Sequence, residues 1–230
     1  MTDKVTLTWL SHGSWLIESG TARILLDPFL TDNPAAKTTA DSLVGITHVL
    51  VSHAHFDHIN DVASIVNRCN ATLVGSFEVV QWFQTHHQVK QAVMMNIGGS
   101  CELPCGFVKM TPALHSSSFP DGSYGGNPAG YLLTVGEKRI YFACDTAYFS
   151  DMKFYAQGVD VAVLPIGDLF TMGIEDSVAA VKLIEPRVVL PAHYGTWSPI
   201  ASDARAWASR VSDETQARAV VLEVGEKFEV

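Results

Sequence analysis

Apolar and polar residues alternate with a period of two through "KVTLTWL" (4–10) and "SWLIESG" (14–20), and "ARILLDP" (22–28) ends a similar run at a turn signal. These runs predict successive strands. "THVLVSH" (47–53) is apolar on consecutive positions, the pattern of a strand buried on both faces. From 61 the spacing becomes helical, with Val62, Ile65, Val66 and Cys69 on one face and Asn60 or Asp61 as the cap. "ATLVGS" is again strand-like, and "FEVVQWFQTH" forms a second amphipathic helix. Positions 92–143 are mostly β: "AVMMNI", "CELPCGFVKMTPAL", "GYLLTVG" and "KRIYFAC", the last two forming a hairpin around Gly136-Glu137-Lys138. Between them "HSSSFPDGSYGGNPAG" is rich in Gly, Pro and Ser and predicts an irregular loop, either plain surface or facing a substrate. The last third alternates: a helix at 152–157, the strand "VDVAVLPI", a helix at 174–184, the strand "RVVLPAH", a helix at 202–210 and terminal strands. Two β-rich halves, each covered by helices, predict an α/β (α+β) chain built as a four-layer αββα sandwich, one domain over 1–230 without a linker.

Composition narrows the classes of function. At 230 residues and 47% hydrophobic, the chain can bury a full core. Its longest apolar runs fall far short of the roughly 20 residues of a membrane span, and the start, Met1-Thr2-Asp3-Lys4, lacks the pattern of a signal peptide. A cytoplasmic protein with no membrane partner is expected. Fifteen Lys and Arg against 24 Asp and Glu give a net charge of −9 with no basic cluster, which speaks against nucleic acid and for a small-molecule substrate. Cys69, Cys101, Cys105 and Cys144 are too scattered for a disulfide framework and are expected to be packing thiols. A homo-oligomer is compatible with the sequence, but no apolar stripe specifies one.

The chemistry is concentrated in "VLVSHAHFDHIND" (49–61), where three histidines and an aspartate fall within six positions at the end of a buried strand. In extended chain His53, His55 and Asp57 point to one side, and a turn then brings in His58. Crowded histidines merely capping a strand would repel when protonated and need many partners when neutral. Imidazole with a few carboxylates suits zinc first, with manganese, iron, nickel or cobalt as other candidates. His115, Asp145 and His193 each follow an apolar run and are the candidates for the remaining ligands of a two-metal site.

The order His53-x-His55-x-Asp57-His58, then His115, Asp145 and His193, resembles the metallo-β-lactamase-fold hydrolase superfamily. The resemblance covers nearly the whole chain. "WLSHGSWLIE", "CDT", "GDLFTMG" and "PAHYGTW" look most like a small branch of metal-dependent hydrolases related to ascorbate-6-phosphate lactonase. The resemblance implies that His53, His55 and His115 hold one metal, that Asp57, His58 and His193 hold the other, and that Asp145 bridges them. Asp57 would also take a proton during the reaction. Cys144 departs from the glycine this branch has before the bridging aspartate; it is expected to pack, with metal ligation as the alternative.

Two divalent cations about 3.5–4 Å apart share a water, lower its pKa and present hydroxide to a carbonyl or phosphoryl centre. A binuclear metal-dependent hydrolase of a small ester, lactone or phosphoester is therefore expected. The alternatives are a mononuclear iron oxidoreductase such as a sulfur dioxygenase, or a thioesterase of the glyoxalase II type. For the latter, the roughly 37 residues after His193 leave little room for the usual helical C-terminal region. Three further residues are candidate substrate contacts, each with a structural alternative: His12 in "LSHGS", acting behind the ligands or touching substrate, against a strand cap; Asp168 before "LFTMG", orienting a ligand, against a turn residue; and Tyr194, against a packed aromatic. His48, His86 and His87 fall outside the pattern.

Overall fold

A computed structural model describes residues 4–230; Met1-Thr2-Asp3, which entered the reading of the N-terminus, lie outside the described residues. The alternating runs at the N-terminal end form the antiparallel strands β1 (Thr6–Ser11), β2 (Ser14–Ser19) and β3 (Ala22–Leu26). They continue in parallel with β4 (His48–Leu50), β5 (Thr72–Ser76) and β6 (Ala92–Met95). The second sheet repeats this plan. Antiparallel β7 (Ser100–Leu103), β8 (Gly106–Pro112), β9 (Ala129–Val135) and β10 (Lys138–Phe142) run into parallel β11 (Val161–Pro165), β12 (Val188–Ala192) and β13 (Arg218–Ala219). The last strand, β14 (Lys227–Glu229), crosses back to pair with β1, so each sheet has seven strands.

The two sheets face each other across one apolar layer in which Trp15, Ile17, Ile24 and Leu26 meet Tyr131, Leu133, Ile140 and Phe142. The outer face of the first sheet is covered by α2 (Val62–Cys69) and α3 (Phe77–His87), through Ile65, Val66, Val80 and Phe83. That of the second is covered by α4 (Met152–Ala156), α5 (Ile174–Ile184) and α6 (Ala204–Glu214), through Val178, Val181, Trp207 and Val211. Two helix-on-sheet layers packed back to back give the expected αββα sandwich. Among the described residues no helix is long and apolar enough to cross a membrane.

Three local expectations change. The β9–β10 hairpin is tighter than the sequence suggests: Lys138 pairs with Val135, leaving Gly136-Glu137 as the turn, with Gly136 in the left-handed region (φ 56°) that glycine enters without cost. Asp61 is the N-cap residue of α2, as expected, but its side chain makes no capping hydrogen bond. Its carboxylate instead accepts from Leu30 N, Thr31 N and Thr31 Oγ1, fixing the loop after β3. Third, a one-turn helix, α1 (Phe56–Ile59), interrupts the histidine motif. Asp57 is therefore not on an extended chain beside His53 and His55; the turn of α1 carries it away from them.

Candidate metal centre

All seven proposed ligands lie at one rim of the sandwich, each beyond the C-terminal end of a strand: His53, His55, Asp57 and His58 after β4, His115 after β8, Asp145 after β10 and His193 after β12. They gather into two groups. His53, His55 and His115 bring their ligand atoms within 4.8 Å of one another, and so do Asp57, His58 and His193 together with His12. Asp145 sits between: its Oδ2 is 4.0 Å from His53 Nε2 and 3.7 Å from His115 Nε2 on one side, and 3.3 Å from His58 Nε2 and 3.0 Å from His193 Nε2 on the other. The seven side chains are thus brought together in two groups with Asp145 between them.

Whether these side chains fit metal ions can be judged from their unsatisfied atoms. His58 Nε2 and both ring nitrogens of His193 are buried without a hydrogen-bond partner. Buried polar atoms seldom stay unpaired, and the Nε2 atoms face the shared carboxylate without hydrogen-bond geometry, as lone pairs converging on a cation would. Nitrogen donors with two carboxylates are also the donor set of zinc and its first-row neighbours. The residues fit.

Burial opposes every charge in the cluster, and neighbours decide which charges survive. For Asp57 and Asp145 burial pushes toward the neutral acid, but His58, His12 and His193 hold Asp57, and His193 and His58 hold Asp145, below the ordinary carboxylate range. Burial would strip the proton from His58 and His193, yet the facing carboxylates reverse this. Asp145, Asp57 and Asp27 raise His58 well above its usual value, and Asp145 and Asp57 raise His193 to about 9. His53 is held well below its usual value by burial and by His58, and burial also lowers His55 and His115. The metal-free cluster thus keeps positive charge on the two rings that flank Asp145, where a cation would otherwise supply it.

A second set of residues orients the ligands. Asp27, after β3 and 1% exposed, accepts from Ser52 N through Oδ1 (2.7 Å) and from Ser52 Oγ through Oδ2 (2.5 Å), and its Oδ2 lies 2.9 Å from His58 Nδ1. Ser52 Oγ is in turn 2.9 Å from His53 Nδ1. One carboxylate therefore aims a ligand of each group, and a carboxylate behind an imidazole fixes both its tautomer and its orientation. Asp27 was not singled out in the sequence, although it obeys the rule that picks out Asp145 and His193, an ionisable residue directly after an apolar strand.

Several of these turns are left-handed. His12, Asp27, Cys144 and His193 have φ between 44° and 55°, a conformation costing non-glycine residues about 1–2 kcal/mol. Such strain concentrates at functional sites. It also explains why a glycine would suit position 144. Cys144 packs against the layer between the sheets, its thiol pushed up by burial and by Asp27 and Asp145, and it belongs to neither ligand group.

Each of the three candidate substrate contacts is held by contacts within the protein. His12 is fully buried: Nε2 is 3.0 Å from Asp57 Oδ2, Nδ1 is 2.9 Å from Thr196 Oγ1, and its carbonyl accepts from His193 N. Burial and the charge of His193 lower it to about 4. It is a neutral ring that positions Asp57, out of reach of a substrate. Asp168 is exposed and takes the structural alternative, its carboxylate accepting from Leu169 N (2.8 Å) and its carbonyl from Thr171 N to close a turn. Tyr194 lies outside the ligand groups and the cleft and stacks on Trp9 with ring centroids 5.2 Å apart, beyond the left-handed turn at His193.

Over the ligands opens a cleft of about 930 Å³, floored by His55, Asp57, His115, Asp145 and His193. The Gly-rich loop supplies part of its wall through Ser116, Ser118, Phe119 and Pro120. The same loop is anchored on the histidine motif, where Ser117 Oγ accepts from Ala54 N and Gly125 lies so close to Ala54 that a Cβ would stand 2.4 Å from the alanine methyl.

A four-layer sandwich with histidine and aspartate ligands at one rim defines a metallo-β-lactamase-fold hydrolase. Residues 22–194 match the model of the Beta-lactamase superfamily domain. A UPF0173 metal-dependent hydrolase of Thermus thermophilus is 43% identical over 211 residues, 91% of this chain and 92% of the relative. One of Pyrococcus horikoshii is 38% identical over 98% of this chain and 100% of its own length. Among solved structures, Igni18, a metallo hydrolase of Ignicoccus hospitalis, superposes with a TM-score of 0.88 at 35% identity, covering 99% of this chain and 98% of that one. The chain belongs to the UPF0173 metal-dependent hydrolases of the β-lactamase superfamily.

Proposed function

We propose that the protein binds two divalent cations, zinc first, one in each ligand group, and uses them to hydrolyse a small ester, lactone or phosphoester. The observation that supports this most is the convergence of both groups on Asp145 Oδ2, with the unpartnered Nε2 atoms of His58 and His193 facing it at the floor of an open cleft. When bound, such a pair supplies Lewis acidity and lowers the pKa of a shared water. The protein supplies the rest. Asp57, kept ionised by His58 and His12, is the proton acceptor. His12, neutral and held by Thr196, keeps that carboxylate in place, and Asp27 with Ser52 keeps His58 and His53 turned to Asp145.

Metal analysis of protein purified without added metal, together with assays on chromogenic esters, lactones, thioesters and phosphodiesters, tests the proposal. About two metals per chain with metal-dependent turnover is the expected result. One iron per chain without hydrolysis would replace it with the oxidoreductase, and no bound metal would remove the site.

A further inference from the structure

The walls of the cleft differ sharply from its floor. Around the ligands stand Phe56, Phe119, Leu169, Phe170 and Trp197, and no lysine or arginine lines the cleft among the described residues. Phe56, Leu169 and Phe170 are 53%, 65% and 56% exposed, an apolar patch of the kind that marks a binding surface. A phosphoryl or carboxylate group on a substrate would find no cation in these walls, in a chain whose net charge is already −9.

The backbone at Leu169 is a second, independent sign. Asp168 and Leu169 are consecutive left-handed residues (φ 60° and 48°), a conformation that branched leucine avoids. The turn is held by Asp168 N donating to Met172 O and by Met172 N donating to Thr146 O, one residue beyond the bridging Asp145. Two large apolar side chains are thereby projected into the mouth of the cleft from a strained turn tied to the ligand loop. Strain kept in place by surrounding structure is characteristic of ligand clamps.

Resting on the hydrolase reading above, we infer that the substrate is an uncharged ester or lactone whose acyl chain is apolar and lies against Phe170, Leu169 and Trp197, and that anionic phosphoesters are discriminated against. The step balances as simple hydrolysis. The water oxygen bonds to the acyl carbon and the acyl C–O bond breaks with its electron pair going to the alkoxyl oxygen. One water proton goes by way of Asp57 to the leaving alcohol; the other leaves as the product acid ionises.

The test uses the metal-loaded full chain with 4-nitrophenyl esters from acetate to hexanoate, 4-nitrophenyl phosphate and bis(4-nitrophenyl) phosphate. A parallel NMR titration with ethanol to hexanol reads the cleft without turnover. Burial of each methylene should raise kcat/KM and tighten alcohol binding about fourfold. Leu169→Ser and Phe170→Ser should flatten both series to under about twofold per methylene, while Phe154→Ser, 83% exposed and outside the cleft, should change neither. Ester turnover with a flat series, or preference for either phosphate ester, overturns the inference and leaves the hydrolase standing. No turnover with a steep alcohol series overturns the hydrolase and supports the apolar ligand. No turnover and no alcohol binding overturns both.

Discussion

Asp27→Asn isolates what a buried carboxylate contributes behind the metal ligands. The substitution keeps size and shape, and because asparagine tolerates the left-handed region the backbone at φ 44° is not disturbed. The amide oxygen can still accept from Ser52 N, but the amide nitrogen then faces Ser52 Oγ and His58 Nδ1, where the wild type has charge-assisted hydrogen bonds of 2.5 and 2.9 Å. Hydrogen bonds to charged groups are worth about 1.5–3 kcal/mol each, so losing two, partly offset by rearrangement of the serine hydroxyl, should cost the metal-free protein about 3 kcal/mol. For a chain of this length that lowers Tm by roughly 6–12 °C. Metal binding should suffer selectively: His58 belongs with Asp57 and His193, so that group should weaken about 10–100-fold while the group of His53, His55 and His115 is less affected. Competition with a chromophoric chelator would show one tight and one weakened site. Two sites within twofold of wild type, with an unchanged Tm, would refute the role assigned to Asp27.

His12→Asn, also compatible with left-handed backbone, removes a donor that keeps Asp57 ionised; metal content should persist, while the acidic limb of the pH–rate profile moves to higher pH as the Asp57 pKa rises. An unmoved limb would refute the positioning role. Metal uptake should release protons: with His193 near 9 in the metal-free protein, calorimetry in buffers of different ionisation enthalpy should show release at pH 7 that fades above pH 9, and affinity should rise over the same range. The same raised pKa stabilises the metal-free fold fully below the unfolded value of about 6.5 and less as pH rises through 9. Urea unfolding of metal-free protein should therefore weaken between pH 7.5 and 9.5 relative to metal-loaded protein, the comparison removing the contribution of the thiols. Cys144→Gly should keep the full metal complement, and loss of half the metal would make Cys144 a ligand.

The clustering of the seven proposed ligands was legible because residues gathered at strand ends leave a mark that survives in one dimension, an ionisable residue directly after an apolar run. Asp27 carries the same mark but is followed by a proline, and the turn signal hid it. The one-turn helix α1 is too short for periodicity to reveal, so the extended reading set Asp57 on one side with His53 and His55, whereas the family resemblance already grouped it with His58 and His193. Adjacency to His193 left Tyr194 open between a substrate contact and a packed aromatic; it is packed on Trp9, beyond a left-handed residue that periodicity cannot reveal. For His12 and Asp168 the sequence could show polarity in the right place but not depth: one lies beneath Asp57 and the other on an outer turn.

Each ligand group draws on both halves of the sandwich. His53 and His55 follow a strand of the first sheet and His115 one of the second; Asp57 and His58 come from the first and His193 from the second. A cation in either group would be a crosslink between the sheets at their common rim, in the manner of a disulfide but set by the free metal concentration. At a hundred times the dissociation constant one such link adds about 2.7 kcal/mol. Resistance of this rim to opening, and to the proteolysis that opening permits, would then report how much metal the surroundings offer.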